Sequence, residues 1–146
     1  MAPPSPSANG VAEEATPLER QIHGPADIEQ VRREARRLAL ALGFDAVGAE
    51  EIALAVSELA TNLLHHACEG VVTITRIERP RSGVRVESRD TGPGIPNPAR
   101  ALEDGFSTSG SLGGGLGAVR RLMDEFEIAS GPSGTRIVVH KWLPER

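Results

Sequence analysis

The sequence predicts an α/β (α+β) two-layer sandwich, in which a mixed, mostly antiparallel sheet carries helices on one face. Two long segments with apolar residues at helical spacing follow each other in the first half of the chain, at about 27–42 and 47–67. Two pairs of alternating, β-branched segments lie further along, and the short turn in each pair is typical of a hairpin. The resulting order, β-α-α-β-β-loop-α-β-β, lacks the strict alternation of a parallel sheet.

The composition excludes several classes of function. A net charge of −4 in 146 residues argues against a nucleic-acid-binding surface, which needs clustered basic side chains. The single cysteine, Cys68, permits no internal disulfide and is consistent with a reducing cytoplasm. No apolar run approaches the roughly 20 residues that span a bilayer, and the first residues lack the features of a signal peptide. We therefore expect a soluble, cytoplasmic protein with no nucleic-acid or membrane partner.

The chain divides into a tail and one domain. Residues 1–16 are rich in Pro, Ala, Ser, Gly and Glu and offer little to bury, which predicts a disordered tail. Residues 17–146 are long enough for a single domain with its own core. This domain begins with weak alternation at 18–23, which we interpret as an edge strand.

Two helices are predicted next. Asp27 and Gln30 resemble a capping box that opens the first helix, and Gly43 ends it. Its apolar stripe comprises Ile28, Val31, Ala35, Leu38 and Leu42. The core face of the second helix comprises Ile52, Val56, Leu59 and Leu63, all within about 60° of one another. Glu58 and Asn62 share a different stripe, roughly 100° round the helix, so a carboxylate and a carboxamide project from the margin of the buried face.

The second half supplies the remaining strands and a third helix. A hairpin is predicted from 70–78 and 83–89, and Asp90 follows directly where its second strand ends. A short helix is expected at 98–104. The third long helix is marked by Leu116, Val119, Leu122, Met123 and Phe126. A closing hairpin is predicted from 126–130 and 135–142, with Phe126 and Trp142 in the core.

Two glycine clusters suggest a nucleotide pocket. DTGPGI at 90–95 follows a strand, and GGGLG at 113–117 opens a helix, where free N–H groups can bind anions. Between them, residues 105–112 are mostly small and polar. They offer too little apolar surface to offset the conformational entropy that the backbone would lose on becoming ordered. We expect this loop to be a lid that becomes ordered when the nucleotide binds.

Three motifs in this order, SELATNLLHHA at 57–67, DTGPGI and GGGLG, resemble the GHKL ATPase superfamily with its Bergerat ATP-binding fold. The stretches DTGPGIPN, EDGFSTSGSLGGGLGAVRRLMDEFEI and the terminal KWL further resemble the bacterial anti-sigma-factor serine/threonine kinases, in particular the switch kinases of the stressosome. This resemblance implies ATP and Mg²⁺ as cofactors.

The resemblance also assigns roles to residues. Asp90 would accept a hydrogen bond from the adenine amine, and Thr135 would help to bind adenine through water. Glu58 would be the general base and Asn62 the Mg²⁺ ligand. The glycines beside the base would be Gly92 and Gly94. The groups that contact the phosphates would be Gly113, Gly115 and Gly117 and the lid hydroxyls of Ser107, Thr108 and Ser109.

Two functions remain open. The first is a protein kinase that phosphorylates a STAS-domain antagonist or stressosome scaffold protein. The second is a nucleotide-dependent anti-sigma binding module with little or no kinase activity. A PP2C-type phosphatase, a sigma factor and a second copy of the chain are further candidate partners. His65 and His66 beside Cys68 suggest either zinc or, in our preferred interpretation, a structural role, and the RREARR run suggests a solvated face or a partner contact.

Overall fold

A computed structural model describes residues 17–66, 70–91 and 115–144. The strands are β1 (Leu18–Gln21), β2 (Gly70–Ile77), β3 (Gly83–Asp90), β4 (Glu125–Gly131) and β5 (Gly134–Trp142). The helices are α1 (Pro25–Leu42), α2 (Ala46–His66) and α3 (Leu116–Leu122). Within these ranges the order of elements is the predicted one. The predicted tail at 1–16, the short helix at 98–104 and the lid at 105–112 lie outside the described residues.

The strands form one sheet in the order β1-β2-β3-β5-β4. Each neighbouring pair is antiparallel. The predicted sandwich is confirmed, and the described strands make an antiparallel sheet rather than a mixed one. The predicted edge position of β1 is also confirmed. Because β3 and β5 are paired at the centre, the end of β3 lies beside the start of β5.

Helix α2 is the centre of the helical layer. It contacts both of the other helices as well as β2 and β3. Its predicted core face is confirmed, because Ile52, Val56 and Leu59 are fully buried and Leu63 almost so. The sheet contributes alternate residues of its central strands, which point to one face. These are Val72, Ile74, Val84, Val86, Ile137 and Val139. None of the described helices is long and apolar enough to cross a membrane.

Helix α1 begins slightly earlier than its predicted capping box. Gly24 is the cap and Pro25 the first helical residue, so Asp27 lies in the third position of the helix. There its carboxylate accepts the N–H groups of His23 at 2.8 Å and Gly24 at 3.2 Å. The predicted end at Gly43 is confirmed, because this residue adopts φ 119°, a left-handed conformation that glycine tolerates.

The third helix is shorter than predicted. Helix α3 ends at Leu122, and Met123 is already extended. The Asp124 N–H donates to the carbonyl of His140 at 2.8 Å, so pairing with β5 ends the helical periodicity. Phe126 therefore lies in β4, where it packs partly buried against the core, as expected of its side chain. The prediction that Trp142 belongs to the core is wrong: it is half-buried and lies outside the core cluster.

Candidate functional site

Asp90 is the last residue of β3 and the centre of the candidate site. It pairs with Gly70 of β2. Its side chain lies on the same face of the sheet as those of Val84 and Val86, because alternate residues of a strand share a face. One oxygen of its carboxylate, Oδ1, accepts the backbone N–H of Thr135 at 3.2 Å. The structure thus brings together two residues that are 45 positions apart in the chain, both of which the family resemblance assigned to the adenine side.

Gly134 makes this close approach possible. A Cβ atom at this position would lie 2.1 Å from the Asp90 carbonyl oxygen and 3.1 Å from the Cα atom of Thr91. The residue also has φ +139°, a conformation that side chains rarely adopt. Both the contact with the neighbouring backbone and the dihedral angle therefore require glycine here.

Thr135 is held by a second contact. Its hydroxyl oxygen lies 2.8 Å from that of Ser130, the residue directly opposite in the β4–β5 pair. Thr135 is only 5% exposed, so its orientation is set by its strand neighbours more than by solvent. Ser130 was not predicted as a site residue, because a serine at the end of an edge strand has no recognisable motif.

Glu58 and Asn62 lie one turn apart on α2, as predicted, and both are half-buried at the margin of the core face. Asn62 precedes Leu63, whose side chain packs closely on Gly70: a Cβ atom added there would lie 2.8 Å from the Leu63 Cδ2. Since Gly70 pairs with Asp90, this contact connects the helical side of the site to its strand side. Gly70 is a second glycine whose role only the tertiary structure reveals.

The chemistry of Asn62 suits magnesium. A carboxamide oxygen is a hard ligand, and Mg²⁺ commonly takes one or two protein groups together with waters and substrate phosphates. Within the described ranges no group of three or more His, Cys, Asp or Glu side chains could form a metal cage of its own. Asn62 would supply one protein ligand to such an ion.

The residues predicted to contact phosphates are described only in part. Gly115 has φ 64° and caps α3, and its carbonyl accepts the N–H groups of Ala118 at 3.1 Å and Val119 at 3.3 Å. Gly117 is buried within the first turn. The other predicted contacts lie outside the described residues: Gly92, Gly94, Ser107, Thr108, Ser109 and Gly113.

The far end of α3 is held by Lys141 of β5. Its ammonium donates to the carbonyl of Leu122 at 2.7 Å and lies 3.2 Å from the Glu51 carboxylate of α2. A cation at the C-terminus of a helix is favourable because the last carbonyls lack partners within the helix. Lys141 therefore joins the two helices that carry the candidate catalytic and phosphate-binding residues.

A cleft of about 230 Å³ opens beside Asp90. It is lined by Gln21, His23, Gly70, Val71, Arg89, Asp90 and Thr91. Apart from Asp90, none of these was assigned to nucleotide binding. The walls of this cleft are not those of the predicted adenine pocket.

Two further sequence patterns have a simpler structural explanation or stay open. Arg32 and Arg36 of the RREARR run contact Glu50 of α2 at 3.5 and 3.2 Å, so part of this run joins the two helices at their surface. The predicted choice between a zinc site and a structural role for His65, His66 and Cys68 stays a prediction, because Cys68 lies outside the described residues.

The family model of the histidine kinase-like ATPase domain matches residues 23–141. The serine/threonine-protein kinase RsbT of Bacillus subtilis (strain 168) is 44% identical over 119 residues, which cover 80% of this chain and 90% of that protein. The anti-sigma F factor of Thermoanaerobacter sp. (strain X514) is 32% identical over 99 residues, 64% of this chain and 69% of that factor.

Solved structures show the same fold. The RsbU and RsbW domains of Rv1364c from Mycobacterium tuberculosis superpose with a TM-score of 0.63 at 20% identity, over 90% of this chain. This chain spans 34% of that longer one. The histidine kinase domain of the blue-light-activated histidine kinase EL346 from Erythrobacter litoralis gives a TM-score of 0.50 at 24% identity, over 80% of this chain and 63% of that one. At these identities the likeness concerns the fold alone.

Proposed function

The chain belongs to the histidine kinase-like ATPase domain family, the GHKL type that its motifs resemble, and from this premise we propose that it is an ATP-dependent serine/threonine protein kinase of a bacterial partner-switching pathway. The main observation behind the proposal is the hydrogen bond between Thr135 and Asp90 at the end of the sheet. Helix α2, which packs on this sheet, carries Glu58 and Asn62. The identity of 44% with a protein kinase, over nine tenths of its length, supports the same activity.

Asp90 is suited to recognise adenine. An ionised carboxylate is a pure acceptor with about four lone-pair directions, so the bond from the Thr135 N–H leaves capacity for the amine of the base. That bond also orients the carboxylate before a ligand arrives, which reduces the entropy lost on binding. Asp90 and Thr135 then form the adenine side of the site.

Glu58 and Asn62 supply the chemistry on the other side. Phosphoryl transfer depends mainly on positioning and on stabilising charge, and a carboxylate can accept the proton of the attacking hydroxyl. Asn62, one turn away on α2, is the residue that would bind Mg²⁺, which neutralises phosphate charge when bound. Both side chains are half-buried at the margin of the core, so part of each remains accessible.

The substrate is proposed to be a serine or threonine of a STAS-domain antagonist or stressosome scaffold protein. The relatives named above include a kinase and an anti-sigma factor, which supports a role in switching between protein partners. A PP2C-type phosphatase or a sigma factor would be the alternate partner. An anti-sigma binding module without transfer is the second candidate, and the similarity to an anti-sigma F factor favours it. The presence of Glu58 favours the kinase, because a pure binding protein needs no general base.

A radiolabelled transfer assay tests the proposal. The full chain, Mg·ATP and STAS-domain proteins encoded by neighbouring genes are combined, and phosphate transfer is followed for wild type, Glu58→Ala and Asn62→Ala. We expect Glu58→Ala to lower transfer about 10²–10⁴-fold with ATP affinity near wild type. Asn62→Ala should instead weaken Mg²⁺-dependent ATP binding.

Glu50→Gln is the matched control, since this carboxylate is on the same helix but contacts the arginines of α1. It should transfer phosphate like wild type. ATP binding without transfer to any STAS protein would support the binding module instead. Identical behaviour of the Glu58 and Asn62 variants would contradict their separate roles.

A further inference from the structure

Ser130 and Thr135 form a pair of hydroxyl groups at the start of the last hairpin. The residues are directly opposite in the β4–β5 register, and their oxygens lie 2.8 Å apart. We propose that Ser130 is a positioning residue that determines base specificity: it donates its proton to the Thr135 hydroxyl and thereby holds Thr135 as a hydrogen-bond donor toward the bound base. This inference rests on the proposed binding of ATP beside Asp90.

The surroundings of Thr135 leave it little freedom. Its backbone N–H is bonded to the Asp90 carboxylate, Gly134 before it packs against the backbone of Asp90, and its side chain is almost fully buried. A hydroxyl group has one proton and two lone pairs. If Ser130 donates, the Thr135 proton remains for the ligand, and two hydroxyls in series strengthen each other.

The direction of this bond matters for the choice of base. Adenine presents an amine donor next to a ring nitrogen that only accepts. Guanine presents the reverse pair, a carbonyl acceptor next to a ring N–H donor. Asp90 as an acceptor and Thr135 as a direct donor complement adenine and oppose guanine at both positions. A Thr135 hydroxyl that could turn and accept a hydrogen bond would discriminate less between adenine and guanine. By fixing its direction, Ser130 contributes to the rejection of guanine.

Two nearly isosteric variants isolate the hydroxyl. Ser130→Thr retains a donor, whereas Ser130→Val has almost the same shape as that threonine without a donor, and the position is half-buried. Calorimetry with Mg·ATP and Mg·GTP on the full chain gives both affinities for each variant, and melting curves verify folding. For Ser130→Val we expect ATP affinity to fall about 3–10-fold, with GTP affinity changed less than about twofold. Ser130→Thr should keep the wild-type ratio of ATP to GTP affinity within about twofold.

The outcomes separate this inference from the proposed function. Equal ATP to GTP ratios in the Val and Thr variants, with wild type still binding ATP, would overturn the role of Ser130 alone. A loss of affinity for both nucleotides to the same extent in the Val variant would also overturn it, because that result indicates a structural role. Wild-type protein that binds neither nucleotide would overturn the proposed function, and this inference with it.

Discussion

Strand β5 begins at the candidate site and ends at a cluster of charged and aromatic side chains, and its two ends are held by different means. At the first end, Thr135 donates its backbone N–H to Asp90, and Gly134 lets the two backbones touch. At the other end, Lys141 and Trp142 make their contacts through long side chains. The site therefore depends on the absence of a side chain at Gly134, whereas the far end depends on contacts made by several side chains.

The far end has several overlapping contacts. The rings of His140 and Trp142 stack with centroids 5.3 Å apart, and the Trp142 indole donates to Glu125 at 2.6 Å. The guanidinium of Arg81 lies 5.9 Å from the Trp142 ring, within the distance of a cation–π contact. Because these groups are partly exposed and share partners, we expect the loss of any one to destabilise the protein less than a side chain added at Gly134, which has no room for one.

The largest effect is expected from Gly134→Ala. The added methyl group would collide with the Asp90 carbonyl, and the backbone would be strained at φ +139°. Overpacking and strain together should lower the free energy of unfolding by about 2–4 kcal/mol and abolish tight ATP binding. Denaturant unfolding and calorimetry measure the two effects. Gly131→Ala is the control, because a Cβ atom there meets nothing within 4 Å. Similar losses in both variants would show that the hairpin, and not the contact with Asp90, is responsible.

Asp90→Asn should have the next largest effect. The amide can present a donor to the adenine amine, so one buried, charge-assisted bond is lost and ATP affinity should fall about 10–100-fold. The Thr135 N–H can still donate to the amide oxygen, so the melting temperature should change little. Unchanged ATP affinity, measured by calorimetry on the folded variant, would contradict the adenine role of this carboxylate.

Lys141→Met tests the opposite end of the strand. It removes the bond to the Leu122 carbonyl from a side chain that is 14% exposed, and we expect the free energy of unfolding to fall by about 1–2 kcal/mol. Glu51→Gln removes only the partly exposed ion pair and should cost less than about 0.5 kcal/mol. Chemical denaturation distinguishes the two variants. A larger loss for Lys141→Met than for Gly134→Ala would reverse the comparison between the two ends.

The smallest effect concerns His140. Burial lowers its pKa from the ordinary value of 6.5, Glu125 and Glu127 oppose this, and Arg85 adds to it. Its Nδ1 is buried without a hydrogen bond among the described residues, and lies 3.8 Å from the Glu125 carboxylate. The unfolded chain therefore binds this proton more readily, so stability should decline as the pH falls below about 6.5 and level off below the folded-state pKa.

His140→Phe keeps an aromatic ring against Trp142 and removes this titration. The free energy of unfolding, measured for both proteins from about pH 7.5 down to 5, should show a shallower decline in the variant. Equal slopes would assign the acid sensitivity to other groups.

Patterns local in sequence were reliable guides to the fold. The stripe on α2, the strand alternation and the two hairpins are local properties, and the structure has these elements where the periodicity placed them. The end of the third helix could not be predicted in the same way. Leu122, Met123 and Phe126 continue a helical spacing, but Asp124 bonds to the carbonyl of His140, so pairing with a distant strand overrides the local pattern.

Some residues of the candidate site could likewise be identified from the sequence, and others only from the tertiary structure. Asp90, Glu58 and Asn62 were singled out from the sequence because the three motifs together resemble the GHKL family, and that combination is visible without a structure. Only the tertiary structure drew attention to Ser130 and Gly134, through their contacts with Thr135 and Asp90. A serine is an unremarkable residue in an edge strand, and a glycine next to a turn is expected in any hairpin. Their importance arises because β5 pairs with β3, which brings the start of one strand against the end of another at hydrogen-bonding distance.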